Sequence, residues 1–396
     1  MFFNRVYTKV LKYILFFTYL SFAIIFVSSC KKVENSEINI GILVPLSGSA
    51  AQYGNAIYNG ASLCIDELND VGGINKKHVK LIKYDEENDP LKAKVGYEFL
   101  EEQGVLGIIG DVTTATTASI IPLSKDDNMP IITPTASSED VTYDFKNKIL
   151  NENVFRTCFL NSFQGRKIAE FAKTQFQTET AALLYCLDSD YSIELKEAFE
   201  NECNKLKIKI VSIEGFVDKK VDFKSQLENI KTKNPDVLFI PYYYETVSLI
   251  AEQAKNIGID CVKLGTDGWC SVTSKISEPN LLDGSYYFSG FSNDDSSESA
   301  QNFLTKYRKN FNEEPNMFAA QSYDAAKILT ESLKVTLDYG YVSGSDEFKK
   351  EVIKNIKETR FECATGEIIF DIYNNPEKQA IIIKILDGKE VFWGKY

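Results

Sequence analysis

VLGIIGDVTTATTAS, residues 105–119, changes character at its midpoint. Apolar strand material ends at Gly110-Asp111, and five of the next eight side chains carry a hydroxyl. The pattern returns in PIITPTASSED (130–140), where Ile131 and Ile132 run into Thr133, Thr135, Ser137 and Ser138. Short apolar runs bounded in this way read as buried strands. Each of these two empties into a polar loop.

Outward from these loops, apolar runs alternate with amphipathic ones. INIGILVPL (38–46) reads as a strand. AIYNGASLCIDELND (56–70) follows as a helix with Ile57, Ala61, Cys64, Ile65 and Leu68 on one face, stopped by Gly72-Gly73. HVKLIKYDE (78–86) is a strand, and PLKAKVGYEFLEEQG (90–104) a helix whose apolar face is Leu91, Val95 and Phe99. A short helix and MPIITP (129–134) close this half. From Val154 the rhythm restarts: helices at 165–176, 193–206, 223–233 and 247–257 alternate with strands at 181–188, 209–216, 236–243 and 261–266. Alternation of this kind means parallel sheets covered by helices on both faces. Two successive runs predict an α/β chain of two similar lobes, although no sequence repeat links them. The roughly 370 residues beyond the first 29 exceed one ordinary core and suit two domains.

The first 29 residues are a separate matter. Arg5, Lys9 and Lys12 precede the apolar run YILFFTYLSFAIIFV (13–27), and Ser28, Ser29 and Cys30 follow. A basic head, an apolar middle and small residues before a cut make an export signal. A membrane-spanning helix is the alternative, but the run of 15 falls short of the ~20 residues a span needs. Val27-Ser28-Ser29-Cys30 resembles a bacterial lipobox, which implies lipid modification of Cys30 and a short polar tether over residues 30–37. Without residues 1–29 the chain keeps 41 Lys+Arg against 56 acids, a net charge of −15 rather than −12. Nucleic acid and anionic lipid both demand basic patches, so neither is expected as a partner.

Of the eight cysteines, Cys30 is spoken for, and the remaining seven are an odd number without a CxxC spacing. Several sit inside apolar patterns, where free Cys acts as a small hydrophobe. Cys261 and Cys270 are the nearest pair for a single bridge. A disulfide-stapled scaffold is not the expectation.

In open parallel sheets, ligands bind beyond the carboxyl ends of the strands. The loops there hold helix N-termini, whose free N–H groups and dipole favour an anion. Hydroxyls after two such strands therefore suit a small anionic group such as a carboxylate. The plainer alternative is that these Thr and Ser residues cap their own helices.

Several segments, in this order, resemble the type I periplasmic solute-binding proteins of the leucine/isoleucine/valine-binding kind. IGILVPLSGSAAQYGNAIYNGASLCIDELNDVGGI (40–74) is similar to the family's opening, and KYDEENDP (83–90), GDVTTATTAS (110–119) and ITPTASS (132–138) to its ligand-side loops. LGTDGW (264–269), SYDAAKIL (322–329) and TGEIIFD (365–371) match later segments. The resemblance implies two Rossmann-like lobes joined by a three-segment hinge near Thr157, Ser289 and Gly366. The N-terminal lobe would be 38–157 plus 289–366, and the C-terminal lobe 158–288 plus 367–396. It implies an amino acid in the cleft: Thr114 on its carboxylate, the Thr135 carbonyl and the Ser137 hydroxyl near its ammonium, and Asp267 paired with that ammonium. Tyr243 would reach across to the carboxylate, while Tyr53, Tyr191 and Phe318 would line the side-chain pocket. The family's disulfide does not carry over, because the matching positions are Asn88 and Thr113. Thr114 and Asp267 stand where the leucine-binding protein has Ser and Glu, which resizes the pocket.

Each of these residues also has a plainer reading. Tyr53, Tyr191 and Phe318 suit an ordinary core, Asp267-Gly268 suits a turn, and Trp269 lines the cleft or packs beneath it. His78, the only histidine, heads a strand and is expected at the surface. NDDSSESA (293–300) lacks the glycine and spaced acids of a calcium loop and reads as a helix N-cap. A hydrolase needs a nucleophile with a base, and G-x-S-x-G, the P-loop and G-x-G-x-x-G after a strand are all missing. The expectation is therefore a monomeric, lipid-anchored envelope protein, not an enzyme, without metal or cofactor. It would deliver an apolar or branched-chain amino acid to an ABC transporter permease. A sensor of the same fold, or a site for an amide or short peptide, is the alternative.

Overall fold

The computed structural model describes residues 37–396. The leader, Cys30 and the tether up to residue 36 lie outside the described residues. β1 (Glu37–Val44), β2 (His78–Asp85), β3 (Ile108–Ile109) and β4 (Ile131–Thr133) lead, past a small hairpin of β5 (Tyr143–Asp144) and β6 (Ile149–Leu150), to β7 (Val154–Arg156). Five of these form one sheet, ordered β2-β1-β3-β4-β7 and parallel throughout. β8 (Thr180–Cys186), β9 (Lys209–Phe216), β10 (Val237–Phe239), β11 (Val262–Gly265) and β12 (Tyr286–Ser289) follow. After a hairpin of β13 (Phe361–Cys363) and β14 (Gly366–Ile368) come β15 (Ile381–Leu386) and β16 (Lys389–Lys395). The second sheet runs β16-β15-β12-β11-β10-β8-β9, with β15 and β16 as an antiparallel edge.

Ile40, Ile42, Leu43 and Val44 are all fully buried, because helices cover both faces of β1 and leave no polar side. In both sheets the strand order reverses beside the first strand, between β1 and β3 and between β8 and β10. That reversal opens the crevice where open α/β sheets hold ligands.

One expectation reverses. In the helix Pro90–Glu102, Leu91, Val95 and Phe99 face solvent, with Leu91 73% exposed, while Ala93, Gly96, Tyr97 and Leu100 are buried. The cause is close approach. A Cβ at Gly96 would lie 2.5 Å from the Tyr84 ring and 2.6 Å from Leu43. The helix settles on the face that carries Ala93 and Gly96, with Tyr97 and Leu100 beside them, and Leu91, Val95 and Phe99 are left on the other. His78 is exposed at the head of β2, as expected. Ser297 caps the helix Glu298–Phe311 by accepting from Ala300 N, which places NDDSSESA at a helix start.

The chain passes between the sheets three times. After β7 it enters the helix Asn161–Phe176, packed on the helix Asp190–Leu206 of the second sheet. After β12 it returns to the helix Met317–Asp338, which lies along the helix Ala51–Asp70 of the first. Beyond β14, past Gly366, the segment around Asn375 is still hydrogen-bonded to β7 and the residues leading into it. Asn374 Nδ2 donates to the carbonyls of Asn151 (3.2 Å) and Val154 (3.1 Å), and Thr142 Oγ1 donates to Asn375 Oδ1 at 3.0 Å.

Candidate functional site

All eight residues expected at the site line one cavity between the two sheets, with about 270 Å³ of empty volume. The first sheet contributes the loop after β3, the loop after β4, Tyr53 and Phe318. Tyr53 arrives because its helix begins at Ala51, earlier than expected, and Phe318 because Asn316 caps the helix Met317–Asp338 immediately before it. The second sheet contributes Tyr191 after β8, Tyr243 after β10, and Asp267 with Gly268 after β11.

The two hydroxyl loops are held from behind. Thr133 Oγ1 donates to Asp111 O and Thr135 Oγ1 to Val112 O, each at 2.6 Å. The Thr135 hydroxyl is thereby spent. Arg156, fully buried beneath the second loop, donates from Nη1 to Ala136 O and from Nη2 to Thr142 Oγ1, both at 2.9 Å. Glu86 and Asp111 lie buried under the first loop, where desolvation pushes both carboxyls upward; the charge of Asp111 raises Glu86 further, whereas the hydrogen bond from Glu86 partly offsets the rise at Asp111. A pair of that kind holds a shared proton rather than two charges.

Capping does not account for the hydroxyls. Thr113, at the start of the helix Thr114–Asp126, makes no cap hydrogen bond and instead donates to Asn88 Oδ1 at 2.8 Å. These are the two positions where the resemblance places a disulfide, so a hydrogen bond joins the loops there instead. Thr114 Oγ1 and Ser137 Oγ are buried, line the cavity and have no hydrogen-bond partner among the described residues. Ser138 turns aside and donates to Glu194 Oε1 of the other lobe at 2.6 Å.

The opposite wall carries the charge. Asp267 is 4% exposed, and among the described residues the lining has no Lys, Arg or His to neutralise it. Tyr191 donates its hydroxyl to Asp267 Oδ1 at 2.6 Å and accepts from Gly268 N at 3.0 Å, while Gln164 Oε1 accepts from Asp267 N at 3.0 Å. Burial pushes the Asp267 carboxyl up to about 6, and the Tyr191 hydrogen bond only partly offsets that. Tyr191 thus orients the acid as well as lining the pocket, and its ring stacks on Tyr243 at 4.9 Å. Trp269 lies beneath the cleft, fully buried against Gly265, with Nε1 donating to Ile240 O at 2.8 Å. Cys261 and Cys270 are both unpaired.

Val112, Thr113 and Gly268 also line the cavity and were not expected there. Thr113 belongs to the hydroxyl-rich loop in sequence but is not singled out there as a ligand contact. Gly268 had a signal: a Cβ there would meet Tyr191 Oη at 2.7 Å and Tyr242 O at 2.8 Å, so the Asp-Gly pair serves the site and not only a turn.

A family model described as periplasmic binding protein matches residues 37–389. The chain belongs to the periplasmic binding protein family. This binding protein is 23% identical over 343 residues to the leucine-, isoleucine-, valine-, threonine- and alanine-binding protein of Pseudomonas aeruginosa, covering 84% of this chain and 86% of that one. It is 26% identical over 236 residues to the Leu/Ile/Val-binding protein BraC3 of Rhizobium johnstonii, covering 60% of this chain but only 63% of that relative's length. Among solved structures, the branched-chain amino acid transporter substrate binding protein LivJ of Streptococcus pneumoniae, in complex with isoleucine, superposes with a TM-score of 0.82. It is 29% identical, with 91% of this chain and 98% of that one covered. A solute binding protein of R. palustris in complex with benzoate superposes with a TM-score of 0.80 at 21% identity, covering 91% and 96%. The fold thus carries chemically different ligands.

Proposed function

We propose that this binding protein captures a zwitterionic amino acid with an apolar side chain between its lobes and delivers it to an ABC importer. One observation carries the reading: the cavity pairs a single uncompensated carboxylate, Asp267, with unpartnered hydroxyls on the facing wall. A ligand stripped of water needs a partner for each charge. Asp267 takes the ammonium, helped by Ser137 and the Thr135 carbonyl. Thr114, with the helix N-terminus behind it, takes the carboxylate, and Tyr243 reaches the same group from the other lobe. Tyr53, Phe318 and Tyr191 enclose the side chain. The relatives named for leucine, isoleucine and valine support this choice. An aromatic acid such as benzoate would bring a second negative charge to Asp267 and no cation.

The lobes rotate about the three crossings, near Thr157, near Ser289 and beyond Asn375, with residues 367–375 counted to the first lobe. Binding partners on opposite lobes let ligand favour the closed arrangement over the open one. The lipobox resemblance supports anchoring at the cell envelope through lipid on Cys30.

Native mass spectrometry of the purified protein identifies the ligand, and calorimetry across pH tests the charge pairing. Asp267 must be ionised to hold an ammonium, and without one its carboxyl titrates at about 6. Affinity should be flat above pH ~7 and fall about tenfold per unit below pH ~6, as protonation competes with binding. Binding near pH 6 should release protons. An aromatic acid gives the opposite sign, tightening on acidification, and that result would sink the amino-acid reading.

A further inference from the structure

We propose that the Tyr53 hydroxyl is a latch between the lobes, setting how long the clamp stays shut rather than which ligand it selects. The proposal rests on reading the cleft as a ligand clamp. Tyr53 belongs to the first lobe, on the helix Ala51–Asp70, yet both hydrogen bonds of its hydroxyl go to the second. It donates to Gly268 O at 2.5 Å and accepts from Tyr244 N at 3.1 Å. Gly268 is in the turn that carries Asp267, and Tyr244 opens the helix Tyr244–Ile257 directly after Tyr243. One oxygen therefore ties together the two second-lobe loops that face the ligand.

Both partners need it. The first amides of a helix have no intrahelical acceptor, and Tyr243 makes no side-chain cap hydrogen bond for this helix. The cap of a second-lobe helix is thus supplied from the first lobe, and it is lost whenever the lobes part. Tyr53 is 2% exposed, so solvent does not stand in for the hydroxyl in the closed form. Its ring is held edge-on by Phe318 at 4.8 Å and leans on Tyr244 at 4.8 Å. That fixes the aim of the hydroxyl and marks the ring, not the oxygen, as the surface offered to a ligand.

Tyr53→Phe keeps the ring and removes the latch, stranding a carbonyl and an amide in the closed form. Affinities for L-isoleucine, L-leucine and L-valine, used as probes, should all fall by the same factor, on the order of 10- to 100-fold. The loss should appear in the dissociation rate by stopped flow, with the rank order of the three unchanged. A changed rank order would make the hydroxyl a ligand contact, and affinities within twofold of wild type would leave the latch without effect; either overturns the proposal. If wild type binds none of the three, the branched-chain choice fails separately, and hydrogen exchange of the protein without added ligand then decides the latch. Tyr53→Phe should speed exchange of the Tyr244 amide while Ala251 and Ala254 in the same helix stay as they were. An unchanged Tyr244 rate overturns the latch.

Discussion

Asp267→Ala should weaken amino-acid binding by roughly 30-fold to several thousand-fold. The range follows from the ~2–5 kcal/mol lost when one member of a buried charge pair is removed, at ~1.4 kcal/mol per tenfold. Nothing else in the lining can replace the charge, since Ser137 and the Thr135 carbonyl are neutral and Asp267 is the lining's one acidic side chain. Thr114→Ala removes one neutral hydroxyl and spares the backbone N–H, so it should cost only about 1 kcal/mol. Lys350→Ala, at the surface, should cost nothing. Calorimetry on folded variants measures this order, and Asp267→Ala binding within threefold of wild type would remove the ammonium from the argument.

The same residue should show a stability effect of opposite sign. Its carboxyl rises from 3.8 in the unfolded chain to about 6 in the folded structure, so ionisation opposes folding. The cost is absent below the unfolded value, complete above about 6, and on the order of 3 kcal/mol. Asp267→Asn should therefore raise the melting temperature of the empty protein at pH 7 and leave it unchanged at pH 3. Affinity lost while stability is gained is the signature of a group placed for ligand and not for the fold.

Gly60→Ala should be among the most damaging single methyl groups that can be added. Gly60 lies where the helices Ala51–Asp70 and Met317–Asp338 touch, and a Cβ there would sit 2.0 Å from Ala319 O and 2.8 Å from its carbonyl carbon. Backbone, not a flexible side chain, would have to move. Ser322 Oγ donates to Ile57 O at 2.7 Å along the same seam, so the seam has a polar contact to lose as well. Overpacking of this severity costs about 3 kcal/mol, and melting should fall by roughly 5 °C or more. Because these helices carry Tyr53 and Phe318, binding should weaken too. A melting point within 1 °C of wild type would show that the helices part easily.

Much of this was legible before any coordinates. The strand–helix rhythm reports burial on both faces of a parallel sheet, and the hydroxyl loops report the carboxyl ends of β3 and β4. What stayed hidden depends on distance along the chain. Tyr53 meets Gly268 across 215 positions, so no local pattern announces its hydroxyl's partners. Leu91, Val95 and Phe99 show a sound helical period, but Gly96 decides which face turns inward by fitting against Tyr84 and Leu43. Asn88 and Thr113 match the family's cysteines only as an absence in sequence, whereas in the fold they are partners.

That last pair bears on how the chain matures. A hydrogen bond between two loops forms as soon as they meet, whereas a disulfide waits for an oxidant and for exchange between thiols. The seven described cysteines are all unpaired, and six of them are buried. Folding of the described residues therefore waits for no disulfide to close, so a reducing environment does not hold it back. An oxidising one instead exposes seven thiols of the unfolded chain to mispairing until burial protects six of them.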